Sequence, residues 1–168
     1  MKQKGFTIVE LLIVIVVIAI LAAIVIVAYN GVQNRAYDNR RLVDMNNIQK
    51  ALEIYKIQNG DYPAPTSANE DSTGWETSYV TGKFLAPLIT SGAVSAVPVD
   101  PINNSTYFYQ YYRYNAGQYG CDASRGDYYV LRIRAFQGQS SDKGPGFKCT
   151  NRDWSTEAAA WITGGYVN

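Results

Sequence analysis

Glu10 is the residue whose position most demands a chemical explanation. It stands in Gly5-Phe6-Thr7-Ile8-Val9-Glu10-Leu11, at the edge of an apolar run. A charge there is expensive and implies a partner and a function. Other reactive chemistry is thin. Histidine is absent, which removes the commonest general base and the commonest metal ligand. No nucleophile elbow, phosphate loop or zinc spacing occurs, so an enzyme is not expected. Glu70-Asp71, Asp100, Asp122 and Asp142 offer oxygen ligands but lack the compact spacing of a calcium loop. No cofactor and no metal are therefore expected. The formal net charge of +1 argues against a dedicated nucleic-acid binder. Arg132 and Arg134 with Lys143 and Lys148 leave DNA as a possible partner, although strand arginines are more often solvated or paired. Asn103-Asn104-Ser105-Thr106 holds two overlapping glycosylation sequons, a pattern that chance also produces.

These residues must be carried by an anchor and one domain. Leu11 to Ala28 is 18 residues without charge, the length of a membrane-spanning helix. Lys2 and Lys4 precede it, which places the N-terminus in the cytoplasm and the rest of the chain outside. There the two cysteines, Cys121 and Cys149, meet an oxidising environment and are expected to pair; two unpaired buried thiols are the other reading. The helical pattern continues past Ala28. Apolar residues recur at Val32, Ala36 and Val43, and then at Met45, Ile48, Leu52 and Tyr55. Asn59-Gly60 and Pro63 stop it. One helix over 6–58 would be roughly 80 Å long, and a bilayer core takes only about 30 Å of it. The remainder should project outward and pack its stripe on the domain.

Residues 61–105 are turn-rich, with a short apolar turn or helix at Phe84–Ile89. Tyr107–Tyr114 and Tyr128–Phe136 read as strands, joined by a glycine-rich connection that favours an antiparallel pair. Tyr129, Leu131, Ile133 and Ala135 form one face of the second strand, and Arg132 and Arg134 point the other way. The segment Ala158–Ile162 fits a short helix or a last strand. The 14 tyrosines read as strand filling at half-exposed positions, with an adhesive surface as the sharper alternative. The expected class is α+β: a long N-terminal helix, half transmembrane and half amphipathic, on a small antiparallel β-sheet head.

The basic leader, the string Gly-Phe-Thr-Ile-Val-Glu-Leu-Leu and the uninterrupted apolar helix resemble the type IV pilins and pseudopilins. That resemblance divides the chain into a leader (1–5), a transmembrane and filament-core helix (6–28), an amphipathic half-helix (29–58) and a β-rich head with a disulfide loop (59–168). It implies that a prepilin peptidase cuts between Gly5 and Phe6 and methylates the new Phe6 amine. Thr7 and Glu10 would then serve assembly, with Glu10 meeting the Phe6 amine of a neighbouring copy. The implied partners are the chain itself, an assembly ATPase, a platform membrane protein, minor pilins, and the membrane before assembly. The implied location is the cytoplasmic membrane with the head outside, then an extracellular pilus. The Cys121/Cys149 loop and the strings Asn59–Pro63 and Val97–Pro101 are similar to landmarks of the family, and the cysteine pair favours a pilin. A pseudopilin of a secretion or competence system is the alternative within the family. A non-polymerising anchored binding module is the alternative outside it. One departure stands out. Val27 occupies the place where many members carry proline, and no proline occurs between Phe6 and Tyr62, which implies a more continuous helix.

Overall fold

The structure, a computed structural model, describes residues 5–65, 74–80, 83–138 and 140–168. Lys2, Lys4, Glu70 and Asp71 lie outside the described residues. The α1 helix (Ile8–Asn59) is 52 residues long, or about 78 Å, and runs through Val27 and Gly31. Thr7 caps its start. Gly60 closes its end in the left-handed conformation, φ 82°, where its N–H reaches the Lys56 carbonyl.

The head is built on one antiparallel sheet in the order β1 (Glu76–Thr77), β2 (Tyr109–Tyr114), β3 (Tyr128–Ile133), β6 (Trp161–Tyr166). A short helix, α2 (Ala86–Thr90), precedes β2, and a two-residue hairpin of β4 (Lys148–Cys149) and β5 (Arg152–Asp153) precedes β6. The C-terminal segment is therefore a strand, beginning at Trp161 after irregular Ala158–Ala160. Gly164 on β6 is sterically required. A Cβ there would lie 2.4 Å from the Phe147 ring.

The sheet has apolar packing on both faces. One face takes Met45, Ile48, Ala51 and Leu52 of α1 against Tyr109, Tyr111, Tyr129, Leu131 and Ile133. The other carries Trp75, Tyr114, Tyr128, Val130, Trp154 and Ile162. Arg132 points away from the α1 face and is paired with Glu157, buried because the second cluster covers that side. One expectation changes. Tyr109, Tyr111 and Tyr114 are deep in the core rather than half-exposed. Their hydroxyls tolerate this because each is hydrogen-bonded: Tyr109 donates to Asp44 at 2.9 Å, Tyr111 to the Pro63 carbonyl at 2.7 Å, and Tyr114 accepts from the Trp154 indole N–H at 3.4 Å.

The amphipathic half of α1 also differs from its reading in sequence. Met45, Ile48 and Leu52 are buried against the sheet as expected. Val32, Ala36 and Val43 remain exposed. The head meets α1 from Asp38 onward, first through Asp38, Arg41 and Asp44 and then through the apolar Met45, Ile48 and Leu52.

Candidate assembly site at the helix N-terminus

Thr7 sits just before α1 with extended backbone, φ −80° and ψ 152°. Its hydroxyl accepts the Glu10 N–H at 3.2 Å. Glu10 Oε2 in turn accepts the Thr7 N–H at 2.8 Å and the Thr7 hydroxyl at 2.7 Å. This reciprocal capping box satisfies two donors that a helix start leaves unpaired, and it places a carboxylate at the positive end of the helix dipole. Glu10 is therefore not a bare charge in the single chain. Thr7 holds it at a fixed place beside the helix terminus. The spacing Thr-x-x-Glu carries this signal in the sequence itself.

Gly5 and Phe6 precede the cap in exposed, non-helical backbone, and Phe6 is 89% exposed. A Cβ on Gly5 would meet nothing within 4 Å. The fold thus makes no steric demand for glycine there. From Phe6 to Ile26 every large apolar side chain is exposed. This half of α1 is the one helix among the described residues long and apolar enough to cross a membrane.

The exposed apolar surface continues beyond that half. With 3.6 residues per turn, Val32, Ala36, Val43, Ile54 and Ile57 fall within about 60° of one another. Arg41, Met45, Ile48 and Leu52 face the head from about the opposite side. Val43 is 57%, Ile54 42% and Ile57 81% exposed. Asn39 and Lys50 interrupt this outer stripe, and both are exposed.

A buried ionic clasp fixes the head to the helix. Arg41, 0% exposed, donates from Nε to Asp100 Oδ2 at 2.6 Å, from Nη2 to Asp100 Oδ1 at 3.0 Å, and from Nη1 to Asp38 Oδ1 at 2.7 Å. Burial alone would lower the Arg41 pKa, but Asp100 and Asp38 outweigh it and raise it above its ordinary value. Tyr107 adds its ring 5.0 Å from the guanidinium. Asp38 also accepts the Gln137 and Gly138 N–H groups, at 2.9 and 2.7 Å. The string Val97–Pro101 thus does more than turn the chain: it delivers Asp100 to the helix. The sequence offered one clue. Asp38, Arg41 and Asp44 extend the Met45–Ile48–Leu52 face toward the N-terminus.

The remaining candidates are placed as follows. Cys121 and Cys149 are joined in a disulfide with their Cα atoms 4.8 Å apart, and the loop between them contains β3. Arg132 donates to Glu157 Oε2 at 2.7 Å and to Gln110 Oε1 at 2.8 Å, and lies 4.0 Å over the Trp75 ring. It is committed to the head and contributes nothing to an exposed basic surface. Arg134, Lys143 and Lys148 remain exposed. Of the two sequon asparagines, Asn103 spends its side chain on Ser78, while Asn104 accepts the Thr106 and Tyr107 N–H groups in an exposed turn. No cluster of metal-ligating side chains occurs among the described residues.

Comparison with known proteins agrees with this arrangement. Residues 1–26 match the family model described as a prokaryotic N-terminal methylation motif. The chain is 31% identical over 123 residues to type II secretion system core protein G of Escherichia coli, covering 71% of this chain and 77% of that protein. It is 33% identical over 96 residues to a fimbrial protein of Neisseria meningitidis, covering 56% and 54% of the two chains. It is 43% identical over 67 residues to the type IV wide pilus major component PilA4 of Thermus thermophilus, covering 40% and 51%. No solved structure gives a significant match. A methylation motif on an exposed apolar helix, a small antiparallel head and relatives of both kinds lead to one conclusion: the chain belongs to the type IV pilin and pseudopilin family.

Proposed function

We propose that the chain is the major pilin of a type IV pilus, a structural subunit that polymerises through its N-terminal helix into a surface filament. The observation that carries this reading is the bare outer stripe of α1. A bilayer core of about 30 Å takes about 20 residues of helix, so hydrocarbon that begins at Ile8 ends near residue 28. Val43 lies about 22 Å farther along the axis and Ile57 about 43 Å farther. Lipid cannot cover them, and the chain's own head packs on the opposite side. A surface helix without a partner would carry polar residues there. Further copies of the same helix, stacked at an axial offset, supply an apolar cover from Phe6 to Ile57 that is interrupted at Asn39 and Lys50.

In this reading a prepilin peptidase removes residues 1–5, and the new Phe6 amine becomes the cation that Glu10 of a neighbouring copy accepts. Thr7 presents the Glu10 carboxylate for that exchange. A mispositioned copy would leave a buried charge unpaired, which costs about 3–5 kcal/mol, so the pair selects the axial register. An assembly ATPase and a platform membrane protein drive the transfer from bilayer to filament, and minor pilins join it. The reading gives the chain no reaction and no cofactor of its own. The head outside the cell serves motility, adhesion or DNA uptake.

A pseudopilin of a secretion system is the second reading, favoured by a secretion core protein whose match covers 71% of this chain. Mass spectrometry and imaging test both. A mature chain that begins at methylated Phe6, with abundant long filaments lost on deletion, supports the pilin. A processed chain with a secretion defect and no long filaments supports the pseudopilin. An intact Met1 terminus and no filament in either setting would leave a plain anchored module and overturn the proposal.

A further inference from the structure

Between α1 and the chain that follows β3 lies an open pocket of about 450 Å3, lined chiefly by Gly31, Asn34, Arg35, Asp38, Asn39 and Ser140. We propose that this pocket holds the zwitterionic headgroup of a phosphatidylethanolamine, with the phosphate on Arg35 and the ammonium at Asp38. The inference rests on the reading of the chain as a membrane-anchored precursor.

Depth is the first argument. With hydrocarbon ending near residue 28, Gly31 lies about 4–5 Å beyond it and Arg35 about 10 Å beyond. The headgroup layer is roughly 5–7 Å thick on each side. Helical side chains lean toward the N-terminus, and a long arginine stem reaches back along apolar surface. The Arg35 guanidinium therefore falls at the level of lipid phosphate.

Charge is the second argument. Arg35 has no ion-pair partner among the described residues, whereas Arg40 faces Asp44 at 3.9 Å and Arg41 is taken by Asp38 and Asp100. One turn along the same helix, Asp38 Oδ1 is filled by Arg41 and the Gln137 N–H. Asp38 Oδ2 accepts the Gly138 N–H and keeps a second acceptor position. An anionic headgroup would suit Arg35 but lie against Asp38, and a cationic one would do the reverse. A headgroup with both charges matches this adjacent pair on α1, and its N–H donors can use the side-chain oxygens of Asn34, Asn39 and Ser140.

Shape is the third. A Cβ on Gly31 would meet nothing within 4 Å, so the pocket is open at Gly31, the lining residue nearest the apolar half of α1. A lipid seated there would tie the head to the bilayer surface before assembly and release it on entry into a filament.

Native mass spectrometry of the full-length chain in detergent, with phosphatidylethanolamine, phosphatidylglycerol, phosphatidylcholine or inorganic phosphate added, tests this. The wild type should retain phosphatidylethanolamine above the other three. Arg35→Gln should reduce that retention about fivefold, the effect of one cation near a lipid surface. Gly31→Leu, which fills that opening, should do the same, and Arg134→Gln should leave it unchanged. Equal retention by wild type and Arg35→Gln overturns the inference, as does equal retention of phosphatidylglycerol, phosphatidylcholine or phosphate. A carbonate wash of vesicles separates the two failures. A chain that washes off refutes the membrane-anchored reading and the pocket with it; a chain that stays but shows no lipid preference refutes only the pocket.

Discussion

At the scale of residues, the Thr7–Glu10 capping box fixes the first turn of α1, and the proposed function gives the same carboxylate a role in assembly. Thr7→Ala removes the cap hydroxyl and should weaken the first turn by about 1 kcal/mol, read as faster amide exchange near Ile8 with the head unaffected. Glu10→Ala should leave membrane insertion intact and abolish most filaments when it is the sole subunit; normal filament numbers would refute the role given to Glu10. Arg41 tests the clasp. Arg41→Ala strands two buried carboxylates and should lower stability by about 3–5 kcal/mol in thermal or urea unfolding, far more than a change at exposed Arg40. Asp44 adds a pH signature. Burial raises its pKa, against the opposing Tyr109 hydrogen bond and the Arg40 charge. Its ionised form is therefore disfavoured in the folded state, and its contribution to stability is lost as pH rises through the folded value. The melting temperature of Asp44→Asn relative to wild type should therefore climb with pH across the mildly acidic range just above ordinary aspartate values.

At the scale of elements, α1 does three jobs in sequence order. The first half is apolar all round, the junction near Gly31 is polar, and the last half is apolar on two opposed faces. Ile54→Glu and Ile57→Glu place charge on the outer face alone. They should leave head stability within about 0.5 kcal/mol and reduce filament yield sharply. The Cys121–Cys149 bridge ties the chain before β3 to the small hairpin after it, and its removal should cost the head about 2–5 kcal/mol.

The elements differ in how far they could be read from the chain. The anchor, the end of α1 at Asn59-Gly60 and the β2–β3 pair were legible, because hydrophobic periodicity and turn chemistry are local. The second apolar cluster was not, since Trp75, Trp154 and Phe147 come from separate loops and meet only after the sheet forms. The same reason hid the Arg41–Asp100 pair, whose partners are 59 residues apart. Of the bare stripe, Val32, Ala36 and Val43 were legible as apolar recurrences, but periodicity reveals an apolar face and not what will cover it.

At the scale of the whole molecule, the head packs on the distal half of α1, and the apolar side chains on the rest of that helix are exposed. The tyrosine-rich core gives that head a distinctive alkaline limit. Burial pushes Tyr114 and Tyr129 up to about 12, and Tyr111 is also raised. Unfolded tyrosines release protons near pH 10, so stability from these residues is present below that pH and lost as pH rises toward the folded values. Tyrosinate absorbance should therefore appear in two phases, the later one coinciding with loss of the folded signal. Cryo-electron microscopy of filaments assembled from the mature chain tests the central claim most directly. The predicted result is a helical homopolymer with α1 inside, Glu10 beside the Phe6 amine of a neighbour, and Val43, Ile54 and Ile57 against adjacent copies. Filaments in which that stripe faces solvent, or a processed chain that forms no filament under assembly conditions, would contradict it.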